Sequence, residues 1–275
     1  MGLSVNTNMG SLTAQANLSK SSNRLNESME RLSTGLKINK AADSAAGLVI
    51  SELQKKEING LAGAISSIER GVNLVQTAES ALGEVNELLL KIRTISVDSA
   101  NAATNDTASL AANQAEVTKL LESITRISDT TKFGTKNLLD GTFSAQQFQL
   151  GAFSGENTSL SVADTDATAL AINAIDVTTA AGANTALTLV DAAIGTVATA
   201  RGTLGAFQAG TLEATKNNNI SQLTNMQQAE SMLRETDYQK EIASFTSEQI
   251  RQQVASTVLG MANQSSQQIL SLLRG

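Results

Sequence analysis

The 275-residue chain contains no cysteine, proline, histidine or tryptophan, and it has a single tyrosine. Ordinary proline usage of about 5% would place roughly 14 prolines in a chain of this length. Without proline no helix is broken by a missing amide donor, and without cysteine there is no disulfide framework and no thiolate ligand. These absences favour long helices in a chain that travels unfolded and folds at its destination.

The composition also excludes several classes of function. Aromatic residues make up only 3% of the chain, which is too few for a dense sandwich or barrel core and suits helices packed side by side. The net charge of −6 argues against nucleic-acid binding, which requires a basic face. No apolar run approaches about 18 residues, and residues 1–12 lack a charged start followed by an apolar core, so we expect no membrane span and no Sec-type signal peptide. With neither histidine nor cysteine, we expect no catalytic site, no metal site and no cofactor.

The N-terminal part shows the seam of a helix that pairs with other helices. Apolar residues recur there, together with Ser22, at alternating intervals of four and three residues, which is typical of a coiled-coil seam. Gly35 is suited to end this helix and Asp43 to cap the next one, so residues 35–43 are predicted to form an elbow between two helices. The apolar members of the seam are Leu18, Leu25, Met29, Leu32 and Leu36.

Apolar residues three or four positions apart continue along the chain and predict further helices at about 44–100, 108–129, 184–234 and 238–273. Residues 140–151 combine a turn dipeptide with strand-like residues and are predicted to form a small β-hairpin. The segment 152–183, rich in Thr, Ser, Ala and Gly, is predicted to be a short loop or knob. The predicted fold class is mainly α: a long antiparallel helical bundle or coiled coil, with a small β-hairpin region and with the N- and C-terminal helices paired.

Both ends of the chain resemble bacterial flagellins. Residues 31–39 (RLSTGLKIN) followed by residues 41–47 (AADSAAG) are similar to the flagellin N-terminal signature. Residues 229–238, 262–264 and 269–274 are similar to the flagellin C-terminus. The resemblance covers the two terminal thirds in long ordered runs, and the middle of the chain does not share it. The signature positions are Arg31, Gly35, Asn39, Asp43 and Gly47.

The resemblance implies a division of the chain into three parts. Residues 1–40 with 236–275 are expected to form the inner core of a filament, and residues 41–151 with 184–235 are expected to form a helical shell around it. Residues 152–183 stand where flagellins insert their variable outer domains. The residues expected in the polymerisation core are Leu18, Leu25, Met29, Leu32, Leu36, Ile250, Val254, Val258, Met261, Ile269 and Leu272.

The implied function is that of a structural subunit that polymerises with itself into the bacterial flagellar filament for swimming motility. The resemblance also implies secretion by the flagellar type III apparatus to an extracellular position. The implied partners are an export chaperone that holds the C-terminal segment, the filament cap and the hook-junction proteins. Two alternatives stay open: a hook–filament junction protein, which has similar terminal helices, and a soluble coiled-coil adaptor, which would form a closed and finite oligomer.

One further implication concerns the host of a flagellated bacterium. In some flagellins an innate immune receptor binds a helix at a Leu-Gln-Arg-Val-Arg-Glu-Leu type of sequence, together with a glutamate on the next helix. Residues 89–95 (LLKIRTI) occupy the corresponding positions, but a lysine replaces the first arginine and loses its bidentate fork. The resemblance therefore implies weak or no recognition. The receptor-like residues are Leu90, Lys91, Arg93, Ile95 and Glu116, and the departures from the pattern are Leu90, Lys91 and Thr94.

Overall fold

The computed structural model describes residues 7–272, and the side chains of residues 7–264. The fold is mainly α, as the sequence predicts. The helices are α1 (Met9–Thr34), α2 (Ala45–Ser99), α3 (Thr107–Thr130), α4 (Ala180–Ala206), a π-helix (Phe207–Glu213), α5 (Ala214–Arg234) and α6 (Tyr238–Leu272). The strands are β1 (Lys132–Phe133), β2 (Lys136–Asn137), β3 (Gln146–Gln149) and β4 (Asn157–Leu160).

The chain divides into two compact units. The terminal unit comprises Met1–Lys56 and Met226–Gly275, and the central unit comprises Glu57–Asn225. In the terminal unit α1 packs along α6, so the predicted pairing of the N- and C-terminal helices is confirmed. Asn8 contacts Ala262, and at the other end of the pair Ser28 contacts Glu241, so the two helices run in opposite directions.

The central unit has one apolar core, to which α2, α3 and α4 all contribute. The stripes of apolar residues that predicted these helices are the faces that meet in this core. Ion pairs at the rim join α2 to the returning chain in antiparallel order: Arg93 to Asp191, Glu79 to Arg201 and Glu69 to Lys216. The fully buried helical side chains include Leu82, Val85, Leu89, Ile92, Val117, Ile124, Val190 and Val197.

The β-hairpin lies further along the chain than the predicted 140–151. Its strands are β3 and β4, which pair antiparallel with Gln146 opposite Leu160, so only the first strand falls within the predicted range. The Asp140-Gly141 turn forms, with Gly141 at a φ of 75° and Asp140 accepting hydrogen bonds from Thr142. This turn leads into the hairpin and does not close it, because the loop that closes it is at residues 150–156.

Residues 161–179 have no helix or strand, yet they pack into the core of the central unit instead of standing out as a knob. The amide side chain of Gln114 on α3 holds this segment at two backbone groups. It donates to the carbonyl of Ile175 (2.9 Å) and accepts from the N–H of Val177 (2.7 Å). The overall Thr- and Ala-rich composition hid a series of apolar side chains that are buried: Leu160, Val162, Leu170, Ile172, Ile175 and Val177.

The return helix predicted at 184–234 is helical throughout, but it contains the π-helix Phe207–Glu213. Buried positions along α4 are spaced three and four residues apart up to Leu204, and the next fully buried residue, Leu212, comes eight residues later instead of seven. A π-helix takes up one extra residue in this way, so the apolar stripe beyond it stays on the core side. Phe207 packs there against Phe148 of β3, with ring centroids 5.8 Å apart.

Candidate functional site

The α1–α6 pair has an unusually polar interface for two helices that pack lengthwise. The inward positions of α6 follow a regular heptad spacing, but Glu241, Glu248 and Gln252 alternate there with apolar residues. On α1, Ser21 and the buried Ser28 alternate with leucines. Coiled coils that are stable on their own place apolar residues at nearly all such positions. The half-buried or buried apolar residues of this interface are Ala14, Leu18, Leu25, Leu32, Phe245, Ala255, Leu259 and Ala262.

Polar contacts set the register of α1 against α6. The side-chain amide of Asn8 donates to the carbonyl of Ala262 (3.0 Å), and the Ser28 hydroxyl donates to the Glu241 carboxylate. The largely buried Glu248 carboxylate contacts Arg24 across the interface (3.7 Å). Within the described residues no donor reaches Glu248 Oε2, which is a cost to the pair because a buried acceptor has lost its water.

Apolar side chains on the other side of α6 are uncovered. The predicted core residues Ile250, Val254, Val258 and Met261 are all exposed, as is Ile242. At 100° per residue Ile250, Val254 and Met261 lie on the side turned away from α1. Val258 continues this stripe at one edge, and Ile242 lies on the other flank of the helix. Ile269 and Leu272, predicted in the same set, lie outside the residues whose side chains are described.

The predicted seam of α1 needs one correction. Leu18, Leu25 and Leu32 face α6 as predicted, but Met29 is exposed. Ser28 takes the inward position instead, because its hydroxyl bonds the Glu241 carboxylate. Leu36 is half-buried beyond the end of the helix, where it forms an antiparallel bridge with Glu235.

The elbow after α1 depends on a glycine. Gly35 ends the helix in the left-handed conformation, at a φ of 73°, and its N–H donates to the Arg31 carbonyl (2.9 Å). A Cβ at this position would lie 2.9 Å from the hydroxyl of Tyr238, so a larger residue displaces the end of that exposed side chain. Glycine is therefore favoured at this position mainly by the left-handed backbone conformation.

The remaining signature residues close the elbow. Asn39 donates from its side chain to Thr34 Oγ1 (2.9 Å) and to the Leu36 carbonyl (3.0 Å). Asp43 accepts from the backbone N–H groups of Lys40 and Asn39, and these bonds hold its pKa below the ordinary value. The predicted role of Asp43 as the cap of α2 is wrong: Ser44 accepts from the N–H of Gly47 and starts the helix.

The elbow after α1 is joined to a second elbow, residues 235–237, which connects α5 to α6. The N–H of Lys37 donates to the Arg234 carbonyl (2.7 Å), and the N–H of Thr236 donates to the Gly35 carbonyl (2.9 Å). The guanidinium of Arg234 is nearly buried and pairs with Glu52 of α2 (3.0 Å). The sequence predicted the elbow at residues 35–43 but not this contact, because nothing in its pattern specifies a partner.

The receptor-like segment lies on the central unit. Leu90, Lys91 and Arg93 are exposed on α2, Ile95 is half-buried, and Glu116 is exposed on α3. Arg93 is engaged by Asp191, at 2.7 Å from Nε to Oδ1, and this contact raises the pKa of the Arg93 guanidinium above its ordinary value. The receptor-like arginine is therefore paired within the chain through its Nε.

Among residues 7–272 no three Asp or Glu side chains converge to hold a metal ion, and no helix has the length and hydropathy of a bilayer span. A groove of about 700 Å³ lies between residues 161–163 and α4, and its lining consists of small, aliphatic and hydroxyl side chains without a charged group.

Comparison with known proteins places the chain among flagellins. Residues 5–144 match the bacterial flagellin N-terminal helical region, and residues 187–273 match the bacterial flagellin C-terminal helical region. The chain is 40% identical over 272 residues to a flagellin of Halalkalibacterium halodurans, covering 98% of this chain and 99% of that one. It is 36% identical over 303 residues to flagellin of Bacillus subtilis, covering 98% and 99%. The crystal structure of Bacillus cereus flagellin is similar with a TM-score of 0.50 and 29% identity, covering 59% of this chain and 93% of that one.

Replacing Gly35 tests the elbow. Gly35→Ala is expected to lower the free energy of local opening of the elbow by about 1–2 kcal/mol, because alanine is strained in the left-handed conformation. The contact with the Tyr238 hydroxyl adds to this effect. Opening is read as faster hydrogen exchange at the N–H groups of Lys37 and Thr236, about tenfold for each 1.4 kcal/mol. Gly35→Ala with Tyr238→Phe removes the hydroxyl contact and should recover part of the loss, while Tyr238→Phe alone is the control. Unchanged exchange in Gly35→Ala would contradict this role.

Proposed function

We propose a mode of self-assembly for this chain, which belongs to the bacterial flagellin family and is a structural subunit of the flagellar filament, not an enzyme. Flagellins polymerise with themselves, and the extracellular filament that they form serves motility. The proposal concerns which surfaces of this chain make the contacts. We assign the innermost contacts to the outward apolar faces of α1 and α6.

The exposed apolar stripe on α6 is the observation that carries this assignment. Ile250, Val254, Val258 and Met261 form a continuous apolar face that a monomer leaves in water. Burial of such a face is favourable by roughly 25 cal/mol per Å² of apolar surface, and a second copy of the chain is the partner that a homopolymer supplies. The exposed Met9 and Leu12 on α1 extend the surface to the other helix of the pair.

The polar α1–α6 interface also supports this proposal, because the contacts within the pair bury little apolar surface. Ordering a residue costs about 1–2 kcal/mol in backbone entropy, and only about one residue in three or four on each helix faces the partner helix. Several of those positions hold Ser, Glu or Gln, which contribute little apolar burial. The pair therefore orders fully when neighbouring subunits cover its outer faces, as in other coupled folding and binding.

The assembled form follows from the symmetry of the contact. The two faces of a lengthwise helix pair are different surfaces, so one subunit contacts the next head to tail. Contacts of this type extend into a helical polymer when the rotation does not close into a ring. Residues 1–40 with 236–275 form the inner part in this proposal, residues 41–151 with 184–235 form the shell, and residues 152–183 form its reduced outer part.

The further partners follow from family membership and remain part of the proposal. An export chaperone that holds the C-terminal segment would cover the exposed face of α6 before assembly, since that face is otherwise open to water. The flagellar type III apparatus would export the chain, and the absence of disulfides and proline removes two slow steps from refolding outside the cell. The filament cap and hook-junction proteins would then contact the two ends of the polymer.

A charge placed on the α6 stripe tests the assignment. Val254→Glu is expected to abolish elongation from sheared filament seeds, because it would bury an unpaired carboxylate between copies at a cost of several kcal/mol. The monomer should keep its helical content, since Val254 is exposed. The measurements are pelleting and negative-stain microscopy of seeded reactions, with circular dichroism of the monomer.

The matched control is Gln253→Glu, which places the same charge at the same depth of α6 but about 100° around the helix. This variant is expected to elongate. Normal elongation of Val254→Glu would contradict the assignment of the stripe. If the parent protein itself forms only short closed rings or small oligomers, the hook–filament junction or adaptor alternatives are favoured over the filament subunit.

We also propose that the innate immune receptor recognises this chain weakly or not at all. Lys91 stands where the pattern has an arginine, and Arg93 is paired with Asp191. Reporter cells that carry the receptor should respond little to the monomer. Leu90→Gln with Lys91→Arg and Thr94→Glu restores the pattern and is expected to raise the response. A strong response to the parent chain would contradict the proposal.

A further inference from the structure

The methionine thioethers are the main targets that this chain offers to two-electron oxidants. Cysteine, tryptophan and histidine, which compete for such oxidants in other proteins, are all absent, and a single tyrosine is present. Thioether sulfur is oxidised readily to the sulfoxide, and exposure decides which methionines react first. The chain has six methionines, so the position of each one determines what oxidation does to the protein.

The most exposed methionines lie in the terminal unit. The exposed fractions are 65% for Met9, 53% for Met29, 82% for Met232 and 58% for Met261. Met261 belongs to the uncovered apolar stripe of α6, next to Val258, and Met9 lies on the side of α1 that faces away from α6. Met9 and Met261 also mark the same end of the helix pair, because the adjacent residues Asn8 and Ala262 are hydrogen-bonded.

We propose that Met9 and Met261 form an oxidant-sensitive site that controls whether a subunit can join the filament. Peroxide oxidises both thioethers in the free subunit and blocks its addition, whereas subunits already in the filament are shielded because their neighbours cover these side chains. This inference rests on the proposed role of the outward faces of α1 and α6 as contacts between copies.

The chemistry is a two-electron oxygen transfer from a peroxide. The sulfur lone pair attacks one peroxide oxygen, the O–O bond breaks, an S–O bond forms, and the second oxygen leaves as water after taking up the proton. Sulfur is oxidised and peroxide is reduced, so no metal or further reductant is required. The product is a polar sulfoxide in place of a flexible apolar side chain.

The effect on assembly follows from the position of the new oxygen. A sulfoxide oxygen is a strong hydrogen-bond acceptor, and burying one between apolar helix faces leaves it without a donor. Ile250, Val254 and Val258, which share the face with Met261, offer no polar side-chain group to satisfy it. The free subunit tolerates the oxygen because water reaches it, so the loss appears only when copies pack together.

The experiment compares seeded elongation before and after treatment of the monomer with hydrogen peroxide. Oxidation at Met9 and Met261 is verified by peptide mass spectrometry, and intact filaments receive the same treatment for comparison. The treated parent is expected to show a rise of about tenfold or more in the critical monomer concentration. In filaments, peptides containing these residues should remain mostly unoxidised. Treatment with methionine sulfoxide reductases should restore elongation.

The matched variants separate this site from general oxidative damage. Met9→Leu with Met261→Leu keeps similar volume and apolar character, and its elongation is expected to be the same before and after peroxide when the treated variant is compared with the untreated variant. Met232→Leu removes the most exposed of the methionines that the structure describes. This residue lies outside the α1–α6 pair, so the variant should remain as sensitive as the parent.

Normal elongation of a parent monomer with verified sulfoxides at both positions would overturn the proposal, and so would equal sensitivity of the double leucine variant. If the untreated parent fails to elongate from seeds, the proposed function itself is overturned, and the oxidant-sensitive site with it.

Discussion

The structure depends on how α1 and α6 distribute polar and apolar side chains between their two faces. The inward face carries Ser28, Glu241 and Glu248, while the outward face of α6 carries Ile250, Val254 and Val258. In a self-sufficient coiled coil this arrangement would be reversed. The pair is therefore matched in register by hydrogen bonds and ion contacts, while an apolar stripe on α6 is exposed in the single chain.

The elbows keep this incomplete pair in place. Gly35 ends α1 in the left-handed conformation that favours glycine, and backbone hydrogen bonds between residues 35–37 and 234–236 join the start of one terminal segment to the end of the other. The central unit has an apolar core of its own from α2, α3 and α4. Self-contained packing in one unit and outward-directed packing in the other is the division expected of a filament subunit that is soluble before it assembles.

Periodicity in the sequence predicted the helices, because a stripe of apolar residues three or four positions apart has few other uses. It predicted Leu18, Leu25 and Leu32 on the inward face of α1, but it placed Met29 there instead of the adjacent Ser28, whose hydroxyl bonds the Glu241 carboxylate. The π-helix was also missed: one extra residue between Leu204 and Leu212 is easily absorbed into an otherwise regular pattern. The buried path of residues 161–179 depends on partners outside the segment, among them the Gln114 amide and the backbone carbonyls of Leu139 and Phe143.

We propose that α1 and α6 gain their full stability from neighbouring subunits. Hydrogen exchange of the backbone amides in residues 9–30 and 245–264, compared between dilute monomer and filament, tests it most directly. The amides of α2 within the central unit serve as the internal reference. We expect the amides of α1 and α6 to exchange rapidly in the monomer and to be strongly protected in the filament. The exchange rates of the α2 amides should change little. If the amides of α1 and α6 are protected as strongly in the monomer as in the filament, the two helices do not depend on neighbouring subunits for their stability.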